Sequence, residues 1–377
     1  MFSSSRCSSS SARCCSSKER SSTCSRREES HCPARIPVPD SHEPGGYLKA
    51  TLESQPRELA RLLSDDAAAR AAERLRGCAR IFLVGTGTSY HGALAGQFMF
   101  RSAGIDAWAV RAFEFANYPP AFREDDGLVL LSHRGSKRFS RRSLDLFEPH
   151  GKRWVAITGE GSAIDGEGVI RTVEQERSPV HTASHTGALL RLAQIAAALG
   201  QPAWHAELAR IPEAVGAALG LRDRVSQDVR RVELKPIVHF VGGGPARATA
   251  YEGALKLREA SHVVSAEGHD VEGILHGPLV SIQPGQTVLV IAQLGPALER
   301  TQEVIKALGE IGAVVIQVGS AADGCKTPPM DEVLAPMVNV VPLQLFAYEA
   351  SRRLGVDADS FRRDEPRYAA AQARFTL

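Results

Sequence analysis

Nowhere in the 377 residues does an uninterrupted apolar run reach the ~18 residues of a membrane-spanning helix, so such a span is excluded. Charge is not concentrated either. The chain has 45 Lys and Arg against 43 Asp and Glu, and residues 1–35 hold seven of the bases but only three of the acids. The remaining 38 bases and 40 acids leave a near-neutral body, which offers no electrostatic footprint for nucleic acid. Cysteine is scarce where a fold would use it. Cys7, Cys14, Cys15, Cys24 and Cys32 crowd the N-terminal tail, and only Cys78 and Cys325 follow. Two thiols need no disulfide framework, so the reducing cytoplasm is the expected compartment. The tail cysteines lack the paired C-x-x-C spacing of a zinc finger, and no metal is expected there.

The first 30 residues contain thirteen Ser, with no apolar periodicity and no apolar stretch that could serve as a secretory signal. Residues 1–45 are therefore expected to be a disordered tail. Its Ser and Arg content suits a transit peptide, but Glu19, Glu28, Glu29 and the missing amphipathic pattern speak against one. A start assigned upstream of the true one would leave the same signature. The 43% hydrophobic content excludes disorder along the whole chain.

From Gly46 the pattern becomes that of a folded body. Apolar runs at 80–84, 107–110, 128–131 and 154–158 alternate with helical sequence at 91–100 and 137–147. Short buried-type strands alternating with helices predict a parallel α/β sheet. The plan then repeats: a strand at 236–241, a glycine-rich turn, a helix from about Ala248, strands at 287–292 and 313–318, and a helix at 297–308. Helical sequence from His181 to about Val232 joins the halves. The expected architecture is two doubly wound parallel-sheet subdomains in tandem, 46–232 with the connecting helices and 233–377 with the C-terminal tail.

In open parallel sheets, ligands bind beyond the carboxyl ends of strands, where loops feed helix N-termini. Three stretches occupy such places. Gly85-Thr86-Gly87-Thr88-Ser89 offers backbone N–H groups and hydroxyls that suit an anion or a sugar, although a glycine-rich turn can be mere turn chemistry. No G-K-[ST] follows, so it is not a Walker A loop. Ser132-His133-Arg134-Gly135-Ser136-Lys137-Arg138 crowds hydroxyls and cations into one loop, which fits a phosphate ester or a solvated charge run. At 100° per residue, Glu252, Lys256 and Glu259 share one helix face. A carboxylate beside an ammonium group suits proton shuttling, and a surface salt-bridge ladder has the same spacing. His276 lies between apolar residues and a Gly-Pro turn, where a lone histidine needs support from other residues before a role is given to it.

Taken together, the stretches carry a resemblance. Phe240-Val-Gly-Gly-Gly-Pro-Ala-Arg-Ala-Thr-Ala-Tyr-Glu-Gly-Ala-Leu-Lys-Leu-Arg-Glu259, followed by His276-Gly277-Pro278, resembles the second sugar-isomerase (SIS) domain of isomerising glutamine–fructose-6-phosphate aminotransferases. Gly85-Thr-Gly-Thr-Ser-Tyr-His91 is similar to the opening of that family's first SIS domain, and residues 341–348 to its closing helix. The likeness runs over about residues 46–368. It implies tandem flavodoxin-like SIS subdomains and a homodimer binding a hexose phosphate or amino-sugar phosphate, with no cofactor. Gly87, Thr88, Ser89, Ser132, His133, Arg134, Ser136 and Lys137 would hold the phosphate end. Glu259 would move a proton between C1 and C2, with Lys256 and Glu252 nearby, and His276 would assist ring opening from the neighbouring subunit.

The departures from the family are specific. Phe2 stands where the synthase family has its cysteine nucleophile, and no glutaminase domain precedes the SIS sequence. Pro366-Arg367 is followed by Tyr368-Ala369-Ala370-Ala371, where the family has a Schiff-base lysine, and the last lysine in the chain is Lys326. Arg134 and Lys137 stand where the family pattern has hydroxyl residues. The stretch from Glu176 to Thr186 looks closer to stand-alone SIS deaminases and isomerases, which implies that Glu176, Ser178, Thr182 and Ser184 line the sugar site. Three functions are thus expected to compete: a sugar-phosphate isomerase or deaminase, a non-catalytic sugar-phosphate sensor, and an aminotransferase subunit without its own glutaminase.

Overall fold

A computed structural model describes residues 43–375 except Lys152. The tail cysteines and the acids Glu19, Glu28 and Glu29, with the disorder expected of that tail, lie outside the described residues. The apolar runs become strands β1 (Arg80–Gly85), β2 (Asp106–Arg111), β3 (Asp126–Leu131), β4 (Trp154–Thr158) and β5 (Val169–Arg171). They form a parallel sheet in the order β2-β1-β3-β4-β5. A second parallel sheet holds β6 (Ile237–Gly242), β7 (Ser265–Asp270), β8 (Thr287–Ile291), β9 (Val314–Gly319) and β10 (Cys325–Lys326). Its order, β7-β6-β8-β9-β10, is the same winding repeated. Every residue of β3, β4 and β8 is buried, which explains why these strands read as continuous apolar runs rather than as alternation. The fold is α/β, as the sequence predicts.

The helices of the first half are α1 (Gly46–Leu63), α2 (Ala67–Leu75), α3 (Thr88–Ser102), α4 (Ala112–Asn117) and α5 (Arg138–Phe147). α6 (Ala183–Gly200), α7 (Trp204–Leu208), α8 (Ile211–Leu219) and α9 (Arg222–Arg231) connect the halves. α10 (Ala246–Ser261), α11 (Val271–Leu275), α12 (Leu298–Ile311), α13 (Pro336–Arg353) and α14 (Pro366–Gln372) complete the second half. One large apolar core spans both sheets, from Leu48 and Leu62 through Leu83 and Leu189 to Phe240 and Leu345. Two smaller clusters fill the outer faces, around Phe82, Phe115 and Phe147 in the first half and Val241, Val290 and Leu308 in the second.

The site depends on the seam between the halves, where α3 packs against α10. Glycines seat each of these helices closely on its own half: a Cβ on Gly96 of α3 would stand 2.9 Å from both Leu83 of β1 and Leu192 of α6, and one on Gly253 of α10 would stand 2.7 Å from Leu343 of α13. Leucine or valine at either glycine would force these elements apart, at a cost of about 1–3 kcal/mol by overpacking.

Candidate active site

The carboxyl ends of β1 and β3, the approach to α6, the end of α10 and a C-terminal segment enclose a cavity of about 300 Å³. β1 ends in a turn so tight that a Cβ on Gly85 would meet the Ser89 carbonyl carbon at 2.4 Å. Gly87 follows at φ 57°, and space is open where its Cβ would stand. Its glycine is required by the left-handed backbone rather than by crowding. Gly87, Thr88 and Ser89 all line the cavity.

From the loop after β3, Ser132, His133, Arg134 and Lys137 line the cavity, whereas Ser136 is exposed and does not. The Ser132 hydroxyl is buried with no hydrogen-bond partner among the described residues. His133 Nε2 accepts from the Glu176 N–H at 3.3 Å, so the neutral ring carries its proton on Nδ1, which is buried and likewise unpartnered. Native proteins rarely leave buried polar atoms unsatisfied, so these two atoms are available to a water or a polar ligand. Neither Arg134 nor Lys137 forms an ion pair within the described residues. Burial lowers the Lys137 ammonium, and the Arg134 charge adds to the effect.

Before α6 the structure separates the expected sugar ligands into two groups. Ser184 lines the cavity. Glu176, Ser178 and Thr182 are buried behind it and do not. The Glu176 carboxylate accepts from the N–H groups of Thr182 (3.0 Å) and Ser184 (2.7 Å), and so caps α6. Burial acts to raise this carboxyl, but His181, His133 and these hydrogen bonds outweigh it and hold the group below its ordinary value. Ser178 Oγ accepts from the Val180 N–H. Two cavity residues escaped the sequence reading here. His181 and His185, four positions apart, are both pushed by burial down to about 4 and stand neutral against the cavity.

α10 supplies a buried charge chain. Lys256 Nζ lies 2.5 Å from Glu259 Oε2 and 3.4 Å from Glu252 Oε1. Glu252 also accepts from Thr88 Oγ1 (3.0 Å) and meets His91 Nδ1 (2.7 Å), which ties α10 to the start of α3 across the seam. Lys256 and Glu252 are fully buried, so the spacing does not mark a surface ladder. Burial tends to raise the Glu252 carboxyl, but Lys256, His185 and His91 overcome this and hold it far below its ordinary value. Glu259 differs. Burial dominates there and raises its carboxyl despite the Lys256 ammonium. Glu259 is also the one carboxylate among the described residues that line the cavity.

His276 stands elsewhere: exposed, 3.4 Å from Glu272 on its own helix, and not part of the cavity of its own chain. Phe361 and Arg363 do line the cavity, and no sequence signal marked them. Among the described residues, two clusters bring metal-ligand atoms together: His133, Glu176 and His181, and His239, Glu267 and His269. In the first, Glu176 and His133 Nε2 are already engaged with backbone N–H groups. In the second, His239 Nδ1 and His269 Nε2 satisfy each other at 3.0 Å.

Residues 74–199 match the family model of the SIS domain. An isomerising glutamine–fructose-6-phosphate aminotransferase of Methanothermobacter thermautotrophicus is 29% identical over 338 residues, 85% of this chain and 57% of the relative. The chain spans little more than half the length of the curated relatives it matches. Among solved structures, the C-terminal domain of the Francisella tularensis glucosamine–fructose-6-phosphate aminotransferase superposes with a TM-score of 0.73 at 21% identity, covering 83% of this chain and 98% of that one. A glucosamine-6-phosphate deaminase of Thermotoga maritima gives 0.68 at 23% identity, covering 83% and 96%. Residues 74–199 are thus similar to the SIS domain, and the two sheets together have the fold of the C-terminal domain of the Francisella tularensis aminotransferase.

Proposed function

We propose that the chain is a sugar-phosphate aldose–ketose isomerase or amino-sugar-phosphate deaminase acting on a hexose 6-phosphate of the fructose or glucosamine type. The observation that carries this reading is Glu259, the one carboxylate among the described residues that line the cavity, where the other polar side chains are cations, hydroxyls and neutral imidazoles beside apolar Leu131, Ile157 and Phe361. The phosphate rests on the loop after β3, where Ser132 donates its unpartnered hydroxyl hydrogen and Arg134 and Lys137 supply charge-assisted hydrogen bonds. Gly87, Thr88 and Ser89 complete that end. The Glu259 carboxylate takes a carbon-bound proton at C1 or C2 and returns it to the neighbouring carbon through an enediol. With a 2-amino sugar the same transfer passes through an enolamine to a ketimine, which water hydrolyses to ketose and ammonia. A raised carboxyl suits this task, because a general base works best with a pKa close to the working pH. Lys256 holds Glu259 in place. His276, exposed on its own chain, assists ring opening from a neighbouring copy in a homodimer. The reaction is placed in the cytoplasm.

The absence of any lysine from residues 327–377 favours a second reading, a sensor that binds the sugar phosphate without turning it over. Proton NMR in D₂O separates the readings, with fructose 6-phosphate with and without ammonium, then with glucosamine 6-phosphate. Deuterium entering C1 or C2, or conversion of either sugar, supports the enzyme, and amination that requires ammonium supports the aminotransferase subunit. Binding of both sugars without exchange favours the sensor. No exchange and no binding overturns the hexose 6-phosphate assignment.

A further inference from the structure

The C-terminal segment enters the cavity under constraint. Phe361 and Arg362 are consecutive non-glycine residues at φ 51° and 54°, in the left-handed region that L side chains disfavour. Such strain persists only where surrounding contacts over-determine it, and it clusters at ligand sites. Those contacts are present. Asp357 Oδ1 accepts from the Gly45 N–H (2.9 Å), and the Asp359 carboxylate from the N–H groups of Tyr47 (2.9 Å) and Leu48 (3.2 Å), which caps α1. Arg362 is bound to Glu365 (2.6 and 2.8 Å) and donates to the His262 carbonyl (3.2 Å). Clamped on both sides, the strained turn delivers the next side chain, Arg363, to the cavity wall that Arg134 and Lys137 also line. None of these three cations is in an ion pair among the described residues, and Glu259, the one lining carboxylate, is engaged by Lys256. Half-buried Lys137, the solvent-exposed Arg134 and Arg363, and the unpartnered Ser132 hydroxyl thus face one cavity, where they can converge on one anion.

We propose that Arg363 is a specificity-determining residue of the substrate's phosphate, completing with Arg134 and Lys137 a three-cation clamp whose third member is brought by the C-terminal segment. The inference rests on the sugar-phosphate reading above. Binding then joins the segment that precedes α14 to the loop after β3, and selects a phosphorylated sugar over its unphosphorylated parent.

Calorimetric titration of the full chain with glucosamine 6-phosphate, glucosamine and inorganic phosphate tests the proposal, in wild type, R363A, R363K and the exposed control R367A. The expected result is a 10–100-fold weaker binding of glucosamine 6-phosphate and of phosphate in R363A, the range of one lost charge-assisted contact. R363K recovers part of the loss, R367A matches wild type, and glucosamine is unaffected. R363A binding the phosphorylated sugar within twofold of wild type overturns the clamp while leaving the sugar-phosphate reading intact. An equal loss for glucosamine and its phosphate also overturns it, because Arg363 would then shape the wall rather than read the anion. A wild-type chain that binds none of the three ligands removes both readings. R363K keeps the charge and tests the clamp even where alanine disturbs the turn.

Discussion

The two sheets share one winding, yet the loops at their reversal points are arranged differently. After β1 and β3 lies a cavity of about 300 Å³, lined by Arg134 and Lys137 and bordered by the unpartnered Ser132 hydroxyl. After β6 and β8 the protein fills the same place with itself. The Glu332 carboxylate accepts from the Ala297 N–H at 3.4 Å, and it would stand 2.5 Å from a Cβ on Gly295. A Cβ on Gly243 would meet Ala297 at 2.8 Å, whereas the space around Gly87 is open. Gln293, on the loop after β8, donates to the Met330 carbonyl and accepts from Asn339. A repeated topology therefore offers two potential ligand sites, and satisfaction of the loop's polar atoms decides which one stays available. The second half reaches the cavity of the first through Glu259 of α10.

The comparison can be broken most forcefully at α10. Glu259→Gln is expected to cut turnover about 10²–10⁴-fold, the range of a lost general base, while sugar-phosphate affinity stays within a few-fold. Parallel turnover and calorimetry check this, and loss of binding with turnover would make Glu259 structural. Lys256→Met leaves two carboxylates on α10 without their shared counter-ion, one of them fully buried, and should cost about 3–5 kcal/mol in urea unfolding. A change below about 1 kcal/mol would mean that the chain of charges contributes little to joining the halves.

A third test uses the imidazoles of the open crevice. His181 and His185 fall from 6.5 to about 4 on folding. Their contribution to stability is complete above pH 6.5. Between pH 6.5 and 4 the unfolded chain binds protons that the folded chain does not, so stability falls as pH falls, by up to about 1.4 kcal/mol per unit per histidine. Replacing His185 with Phe should remove one such share from the slope of unfolding free energy against pH. An unchanged slope would mean that His185 is not held neutral in the fold. The smallest effect is expected at the filled crevice. Glu332→Ala should lower stability by only about 1 kcal/mol, the scale of one hydrogen bond, and leave sugar-phosphate binding unchanged. A gain of phosphate binding there would show that side-chain filling, rather than loop backbone, keeps that crevice closed.

Much of the fold was legible because fully buried parallel strands leave continuous apolar runs, as at 128–131 and 154–158. β7 and β5 were not. β7 reads Ser-Ala-Glu-Gly-His-Asp, an edge strand without an apolar run, and β5 has three residues. The site was legible where its residues share one loop or one helix face, as at 132–137 and at Glu252, Lys256 and Glu259. It was illegible where adjacency in sequence says nothing of orientation. Ser136 points to solvent between cavity residues, and Glu176, Ser178 and Thr182 support the wall that Ser184 faces.

The sequence by itself determined two α/β windings, one helix face carrying Glu252, Lys256 and Glu259, and a loop at 132–138 that gathers hydroxyls and cations, because local periodicity and residue order dictate these. Tertiary structure alone decided that Thr88 and His91 would hold Glu252, that burial would raise Glu259 and neutralise His181 and His185, and that Arg363 would join the cavity. The physical reason is that desolvation and charge pairing act through space between groups more than a hundred residues apart, and no spacing along the chain encodes that distance.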